Sequence, residues 1–324
     1  MIEVKIEEKK YNNFTLKDIK FGIAKGEFVC LLGRSGSGKS TLLKIVAGLD
    51  KDYKGIVSLE NEAIEVARKS GKISMVFQED LLLPHLDVFE NIAFGLRIAK
   101  YSKDEIKVKV EEILKKLDLE KMKNKYPNEL SGGERQRVSI GRALVTGPKL
   151  LLMDEPFSAL DYNLKKAMQK LVKSLQKELG VTTLFITHHR DEAFILADKI
   201  GIMESGKLVV MDSGEKLYTS PKTLYVAKFL GIENIFLTEN FEKIFKYKEN
   251  TSAKFLGISG QDIRIVENSE LYGKIIDINF SLGRYILEIE LENNKIICIS
   301  DKKLEVGSIA YIDFDKKNIK EIEE

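Results

Sequence analysis

One stretch near the amino terminus constrains this chain more than any other. Residues 27–32 have the pattern of a β-strand, and they lead directly into the sequence Gly-Arg-Ser-Gly-Ser-Gly-Lys-Ser-Thr. A helical pattern then continues to about Gly48. The stretch matches G-x-x-x-x-G-K-[ST] in the strand–loop–helix context in which that pattern binds phosphate groups. Taken alone, these residues also fit a glycine- and serine-rich surface turn.

The phosphate-binding hypothesis gives each part of this loop a physical role. Glycines let the backbone curl until several N–H groups face one anion, and the helix N-terminus adds a favourable dipole. Lys39 is suited to neutralise the β- and γ-phosphates of a nucleotide, and Ser40 is suited to ligate Mg²⁺. The residues of this loop that we predict to bind the nucleotide are Gly33, Arg34, Ser35, Gly36, Ser37, Gly38, Lys39, Ser40 and Thr41.

A second stretch supports a nucleotide site. Residues 150–153 are Leu-Leu-Leu-Met, an apolar run typical of a strand that is buried on both faces, and Asp154 and Glu155 follow it. A carboxylate at the end of such a strand is suited to hold Mg²⁺, which we assign to Asp154. Glu155 is the candidate to polarise the water that attacks the γ-phosphate. The alternative is that both carboxylates only begin a surface loop.

The sequence Leu-Ser-Gly-Gly-Glu-Arg-Gln-Arg at residues 130–137 predicts a third element. Ser131 and Glu134 have the spacing of a capping box, which opens a helix. Gly132 and Gly133 in its first turn are costly for a helix, but they allow its N-terminus to approach an anion closely. With these three motifs the chain resembles the ATPase subunit of an ABC transporter, in which this signature completes the ATP site of the partner subunit. The resemblance implies that Ser131, Gly132 and Gly133 contact ATP bound to the other subunit of a homodimer.

The family resemblance extends to single residues that follow in the expected order. It implies that Gln78 senses Mg²⁺ and the attacking water, and that His188 contacts the γ-phosphate. It also implies that Asp161 crosses the dimer interface and that Tyr11 stacks on adenine. His189 stands where this family often has Asp, and the sequence assigns it no role.

Composition divides the chain near residue 231. All five prolines lie before that point, where strand-like runs alternate with helical stretches as in an α/β domain. After it, short alternating runs separated by turn signals predict a small all-β barrel or sandwich. Together with this division, the family resemblance implies a P-loop ATPase domain of the ABC type over residues 1–231, with an inserted helical subdomain at about 79–140. A small OB- or TOBE-like β-barrel is expected over residues 232–324. Within the first domain, residues 102–125 predict one charged amphipathic helix.

The segment after the ATPase domain narrows the resemblance to one importer subgroup. Residues 221–234 resemble the link to a C-terminal β-barrel, and residues 273–297 resemble the strand pair of a TOBE-type domain. The subgroup often has Gly-Ile-Arg-Pro-Glu-Asp where residues 257–262 are Gly-Ile-Ser-Gly-Gln-Asp, so regulatory contacts of the missing residues are not carried over. We expect this domain to stabilise the dimer; the alternative is a sensor for substrate or for a regulatory protein.

These resemblances imply an ATP-hydrolysing, energy-coupling subunit of an ABC importer, with ATP and Mg²⁺ as cofactors. ATP binding would close a homodimer and hydrolysis would reopen it, while two integral-membrane permease subunits dock near residues 79–96. An external solute-binding protein belongs to such a complex, and we expect the chain itself at the cytoplasmic face of the cell membrane. The transported substrate stays open among ferric iron, polyamine, sulfate, molybdate and sugar. The short barrel favours ferric iron or a polyamine by analogy.

The composition and the number of motifs argue against several other functions. The 52 Lys and Arg residues nearly balance 50 Asp and Glu for a net charge of +2, which argues against a nucleic-acid binder with a large basic excess. Apolar runs such as 28–32 and 150–153 are far shorter than the ~20 residues of a membrane-spanning helix. The main alternative is a soluble ABC-type ATPase acting on nucleic acid or the ribosome; one P-loop, one signature and no sustained heptads argue against it. A P-loop kinase or GTPase is a third possibility, against which the signature motif argues.

Overall fold

The computed structural model of the chain describes residues 1–11, 14–248 and 250–323. The chain divides into two compact units, Met1–Gly214 and Glu215–Glu324. The first unit is α/β and the second is rich in β-strands, so the expected fold class is confirmed. The composition predicts a domain boundary near residue 231, which is further along the chain than the division after Gly214. The boundary near residue 231 stays a prediction.

The first unit alternates strands and helices. Its strands are β1 (Ile2–Tyr11), β2 (Phe14–Ile23), β3 (Phe28–Gly33), β4 (Lys54–Leu59), β5 (Glu62–Ala63), β6 (Ile73–Val76), β7 (Leu150–Asp154), β8 (Thr182–Thr187), β9 (Lys199–Glu204) and β10 (Lys207–Asp212). Its helices are α1 (Lys39–Val46), α2 (Ile64–Lys69), α3 (Val88–Ile98), α4 (Lys103–Lys116), α5 (Gly132–Leu144), α6 (Tyr162–Leu179) and α7 (Arg190–Leu196). None of the helices that the structure describes is long and apolar enough to cross a bilayer.

A six-stranded sheet organises the first unit, with the strand order β10-β9-β3-β8-β7-β6. Strands β9, β3, β8, β7 and β6 run parallel, and β10 runs antiparallel to β9. Every residue of β3 and β8 is buried, as expected of central strands that are covered on both faces. Because parallel strands share one direction, the loops after β3, β8, β7 and β6 meet at the same edge of the sheet.

A smaller antiparallel sheet, of order β2-β1-β4-β5, shares its hydrophobic core with this central sheet. Alternate residues of β1, among them Ile2, Val4 and Ile6, are buried in that core. Helix α1 contributes Leu42 and Ile45 to the same core. The position of the α1 N-terminus is therefore determined by packing against residues of both sheets.

Helices α3 and α4 lie within residues 79–140, the segment expected to be a helical subdomain, and α5 begins there but continues to Leu144. The N-terminus of α4 is as predicted, since Ser102 forms a capping box with Glu105. The prediction of one helix over residues 102–125 was too long, because α4 ends at Lys116. Asp118 has a φ of 52°, in the left-handed region that interrupts a helix, and a short 3₁₀ helix follows.

The second unit combines two antiparallel sheets with short helices. The helices are α8 (Gly214–Thr219), which begins at the last residue of the first unit, α9 (Leu224–Leu230) and α10 (Thr238–Ile244). The strands are β11 (Asn234–Leu237), β12 (Phe255–Ile258), β13 (Ile263–Val266), β14 (Tyr272–Ser281), β15 (Arg284–Leu291), β16 (Asn294–Ser300), β17 (Ile309–Phe314) and β18 (Lys320–Ile322). The sheets have the orders β11-β12-β18 and β13-β17-β14-β15-β16.

Helix α10 is an addition to the expected all-β pattern. Its Phe241 is fully buried, and the ring stacks on Phe245 with 4.5 Å between the centroids. Both rings belong to the core that also holds Leu256 and Leu287 from the two sheets. The aromatic pair thus provides apolar area that short strands alone would not supply.

Candidate active site

The loop between β3 and α1 curls tightly around its glycines. Gly36 and Gly38 have φ values of 79° and 101°, in the left-handed region that favours glycine. A Cβ atom at Gly38 would lie 2.5 Å from side-chain atoms of both Leu16 and Phe14. Gly38 is also the N-cap residue of α1, and no described side chain caps that helix. The N–H groups of the first turn of α1 therefore have no capping partner, as in a binding site for an anion.

Lys39 lies buried inside this loop, with 5% of its surface exposed. Its Nζ donates hydrogen bonds to the carbonyl oxygens of Gly33 at 2.9 Å and Arg34 at 3.1 Å. Burial lowers the pKa of Lys39, and the nearby carboxylates of Glu155 and Asp154 act in the opposite direction. The hydrogen-bond acceptors of this ammonium group are neutral, so an anionic phosphate would be a stronger partner.

Asp154 and Ser40 meet at the edge of the sheet. The Oγ of Ser40 donates to Oδ1 of Asp154 at 3.3 Å. Burial raises the pKa of Asp154, and the hydrogen bond from Ser40 opposes this shift. A half-buried carboxylate beside a hydroxyl is a set of hard oxygen donors that a cation stabilises. Because Mg²⁺ is commonly held by one or two carboxylates together with substrate phosphates, these two residues fit that ion.

Glu155 and His188 lie next to this pair. The backbone N–H of Glu155 donates to the carbonyl oxygen of Ile186 at 2.9 Å, and Glu155 has a φ of 44°. Oε2 of Glu155 lies 2.9 Å from Nδ1 of His188. The ring of His189 lies 4.0 Å from that of His188, and burial lowers the pKa of His189. The structure thus brings together the predicted general base and the predicted phosphate-contacting histidine.

Gln78 is exposed and follows β6, which neighbours β7 in the sheet. The segment after it is tied to α5 by two arginines that sequence reasoning missed. Nε of Arg135 donates to Oδ2 of Asp80 at 2.9 Å, and Arg142 donates to the carbonyl oxygen of Leu81 at 2.8 Å. Their position on the helix that follows the signature sequence could have drawn attention to both arginines. The sequence did not indicate which residues they bind.

A cleft of about 560 Å³ lies at this edge of the sheet. It contains the phosphate loop, Glu155 and an aromatic wall. Phe14 in that wall was not predicted, since nothing in its sequence context distinguishes it from a core residue. The lining residues are Tyr11, Phe14, Ser35, Gly36, Gly38, Lys39, Ser40, Thr41 and Glu155.

Tyr11 is held in place by residues that the sequence did not indicate. Its hydroxyl donates to Oδ2 of Asp50 at 2.8 Å, and this hydrogen bond raises the pKa of Tyr11. Lys9 lies over the ring, with Nζ 4.9 Å from the centroid. Lys9 is itself buried and pairs with Asp50 at 3.0 Å and Asp52 at 3.2 Å. These contacts fix the ring at the wall of the cleft.

The signature sequence opens α5 as predicted. Oγ of Ser131 accepts a hydrogen bond from the backbone N–H of Glu134, and the Glu134 carboxylate accepts from the Ser131 N–H at 2.7 Å. A Cβ atom at Gly133 would lie 2.7 Å from Leu164, whereas one at Gly132 would meet no atom closer than 3.8 Å. Close packing therefore explains Gly133 but not Gly132. Among the described residues, none of these lines the cleft of its own chain.

Asp161 has a structural role within its own subunit. Its Oδ1 accepts hydrogen bonds from the backbone N–H groups of Asn163 at 3.0 Å and Leu164 at 3.1 Å, which caps the N-terminus of α6. The carboxylate therefore fixes the start of the helix that packs against Gly133. Its predicted contact across a dimer interface stays a prediction.

Comparison with known proteins places this architecture in a family. Residues 16–158 match the family described as ABC transporter. The spermidine/putrescine import ATP-binding protein PotA of Clostridium novyi (strain NT) is 39% identical over 96% of this chain and 94% of its own length. The structure of cbiO1 from Clostridium perfringens, part of the ABC transporter complex cbiONQ, aligns with a TM-score of 0.62 at 32% identity, covering 67% of this chain and 90% of that chain. A dimeric ATP-binding cassette in a post-hydrolysis state, bound to ADP and Pi, aligns with a TM-score of 0.58 at 34% identity. The alignment covers 66% of this chain and 98% of that chain.

The chain belongs to the family of ABC transporter ATP-binding proteins. It is an ATPase subunit of an ABC importer, which confirms the function expected from the three motifs. The identity to the Clostridium novyi protein extends over nearly the whole chain, so it includes the second unit as well as the ATPase domain.

Proposed function

We propose that this chain works as a homodimer in which each ATP site is built from both subunits. The observation that carries the proposal is the separation, within one chain, of the cleft from the capped N-terminus of α5 at Ser131. A Cβ atom at Gly132 would make only an ordinary contact, 3.8 Å from Arg135, so packing within the chain does not require a glycine there. An anion bound by the partner subunit would occupy this position. The dimeric ATP-binding cassette similar to this chain supports the arrangement.

The nucleotide in each site is ATP. The Tyr11 ring stacks on the adenine, the N–H groups of the phosphate loop surround the phosphates, and Lys39 neutralises the β- and γ-phosphates. Ser40, Asp154 and Gln78 would hold Mg²⁺. When bound, that ion supplies charge neutralisation at the phosphate oxygens. The support for this assignment is the Ser40–Asp154 contact and the partial burial of Asp154, which raises the pKa of its carboxyl group.

Hydrolysis uses the carboxylate of Glu155 as the general base. Glu155 accepts a proton from water while the water oxygen bonds to the γ-phosphorus and the bond to the β-phosphate oxygen breaks. His188 orients that carboxylate through the 2.9 Å contact and meets the γ-phosphate from the same edge. Binding of two ATP molecules closes the dimer, and release of the products reopens it.

Residues 79–96 form the surface on which two integral-membrane permease subunits dock. Leu81 and Phe94 are 49% and 41% exposed there, which fits an apolar protein interface. The buried amide of Asn91 shapes this surface, because it binds the backbone of Leu83 through both its oxygen and its nitrogen. The two arginines of α5 connect the same segment to the signature helix. Movement of α5 during closure would therefore reach the permeases.

The imported solute is a polyamine, carried to the complex by an external solute-binding protein. The relative from Clostridium novyi is named for spermidine and putrescine import, and it matches this chain in both units. The chain itself works at the cytoplasmic face of the membrane. Its second unit stabilises the dimer, and neither nucleic acid nor the ribosome takes part.

The test is reconstitution of the chain with the permease subunits and the binding protein from the same genome. ATP-dependent uptake of spermidine or putrescine into vesicles is expected, with ferric iron, molybdate and maltose as competitors that leave uptake unchanged. Uptake of one of those competitors instead would overturn the polyamine assignment. Failure to associate with any permease, together with co-purification on ribosomes or nucleic acid, would overturn the importer function.

A further inference from the structure

Glu192 is a buried carboxylate that the proposed chemistry does not use. It lies in the first turn of α7, shortly after His188 and His189, and only 2% of its surface is exposed. A carboxylate at such a position is costly unless its oxygens are paired. The residues that pair with the Glu192 carboxylate therefore indicate its structural role.

One carboxylate oxygen of Glu192 accepts a hydrogen bond, and the other has an ion pair but no hydrogen bond among the described residues. Oε2 accepts a hydrogen bond from Oγ1 of Thr187 at 2.6 Å, and Oε1 lies 3.0 Å from Nζ of Lys165. Oγ1 of Thr187 in turn accepts from the backbone N–H of His189 at 3.0 Å. These contacts fall on the residues immediately before and after His188, so they close the turn that carries its imidazole.

Lys165 connects this turn to a second functional element. It lies on α6, whose N-terminus is capped by Asp161. The ion pair of Lys165 and Glu192 thus joins the turn at His188 to the helix that begins at Asp161. In contrast, the His188 side chain is 46% exposed and rests on Glu155 and the ring of His189. Its position depends on the backbone of the turn more than on packing around the imidazole.

We propose that Glu192 is a positioning residue for His188, and that Lys165 holds Glu192 in place from α6. The proposal rests on the proposed function, in which His188 orients Glu155 and meets the γ-phosphate. Removal of the pair would let the turn shift, and a displacement of about 1 Å in a catalytic group can cost roughly 10²-fold in rate. Binding of ATP, which depends on the phosphate loop and Tyr11, would change much less.

The chain provides a matched control for the ion pair. Lys173 lies on the same helix, its side chain is 20% exposed against 19% for Lys165, and its Nζ pairs with Asp198 at 3.0 Å. Lys173 also donates to the carbonyl oxygen of Leu196, at the end of α7 away from His188. Lys165→Met and Lys173→Met therefore each remove one ion pair of a similarly buried lysine from the same helix, although Glu192 is buried and Asp198 is half exposed. Only Lys165→Met touches the turn at His188.

We expect Lys165→Met and Glu192→Ala to lower kcat about tenfold or more, with the KM for ATP changed less than about threefold. Glu192→Gln keeps an acceptor for Thr187 and should recover part of the kcat that Glu192→Ala loses. Lys173→Met should retain kcat even where its loss of Tm equals that of Lys165→Met. Equal loss of kcat in the two lysine variants at equal Tm would overturn the proposal.

A second measurement does not depend on hydrolysis. The chain has three histidines, His85, His188 and His189, so imidazole NMR signals from ¹³C-labelled histidine can be assigned by substitution. In Lys165→Met and Glu192→Ala, the signals of His188 and His189 should move while that of His85 stays. In Lys173→Met, all three should stay. An unmoved His188 signal in Glu192→Ala would overturn the positioning role even in a fully active enzyme, whereas absence of ATP hydrolysis by the wild type would overturn the proposed function instead.

Discussion

Oε2 of Glu155 and Nδ1 of His188 lie 2.9 Å apart, although 33 positions separate the two residues in the sequence. The contact exists because Glu155 follows β7, His188 follows β8, and these strands are parallel neighbours. The backbone N–H of Glu155 also binds the carbonyl oxygen of Ile186 in β8, which extends the pairing beyond the end of β7. Two residues with different predicted roles therefore meet at the same edge of the sheet.

Glu155→Gln should keep ATP binding and slow hydrolysis by about 10² to 10⁴-fold, the usual contribution of a general base. The amide preserves the shape of the side chain but is not basic enough to accept a proton from water. The ATP-bound dimer should then persist long enough for gel filtration to detect it. Turnover near the wild-type rate would show that Glu155 is not the base.

Lys39→Ala should reduce ATP affinity by about 100-fold or more, because it removes charge-assisted contacts to two phosphates. The melting temperature without nucleotide should be retained, since the lost hydrogen bonds end on loop carbonyls and burial of the ammonium group is relieved. Nucleotide titration and a thermal melt check both parts. A variant with normal affinity, whose Tm still rises with ATP as in the wild type, would contradict the assignment of the phosphate loop.

Mixed dimers test whether Ser131 serves the site of the partner subunit. Lys39→Ala and Ser131→Arg should each be inactive as homodimers. A mixed dimer of the two would hold one site with both defects and one site with neither, so ATP-dependent closure should recover. The measurement is closure followed by a distance label on each subunit, since full turnover can require both sites.

Homodimers of each variant are the control for this experiment. If Ser131 acted within its own chain, every site of the mixed dimer would carry one defect. Mixed dimers that form but show no recovery would therefore contradict the shared site.

Asp50→Asn should weaken ATP binding through Tyr11, because the Tyr11 hydroxyl loses its anionic acceptor. We expect a change of up to about tenfold, the range of one hydrogen bond, against about 5- to 150-fold for Tyr11→Ala, which removes the stacked ring. Asp52→Asn is the control, since Asp52 pairs with Lys9 at the surface. Fluorescent-nucleotide titration gives the affinities; equal effects of Asp50→Asn and Asp52→Asn would mean that the contact with Tyr11 is without consequence.

Gly133→Ala should destabilise the fold by about 1 to 3 kcal/mol through overpacking against Leu164, which outweighs the helix propensity gained. Leu164→Ala in the same chain should recover part of this loss in chemical denaturation. Gly132→Ala has room for its methyl group, so we expect it to retain stability and to weaken ATP-dependent dimer closure. Wild-type closure in Gly132→Ala would argue against close approach of an anion to this helix end.

The amino-acid sequence by itself was sufficient to indicate the phosphate loop, the buried strand before Asp154 and the capping box at Ser131. Each of these is a local signal, in which a few adjacent residues determine backbone conformation and hydrogen bonding. The same holds for strands β14 to β17, in which apolar and polar residues alternate along the chain. This alternation can be recognised without knowledge of distant residues. The sequence predicted helix ends less well. Helix α4 ends at Lys116, although the charged helical pattern continues to residue 125, because Asp118 has a left-handed backbone conformation.

Only the tertiary structure decided which distant residues meet. The order β3-β8-β7-β6 brings His188 to Glu155, and the packing of α6 brings Lys165 to Glu192. The contact of Tyr11 with Asp50 likewise depends on where α1 ends relative to β1. Residue types and spacing identify candidates for catalysis, but a pair across two elements depends on strand order and on helix packing. Those are properties of the whole core, to which many residues contribute and which no short motif determines.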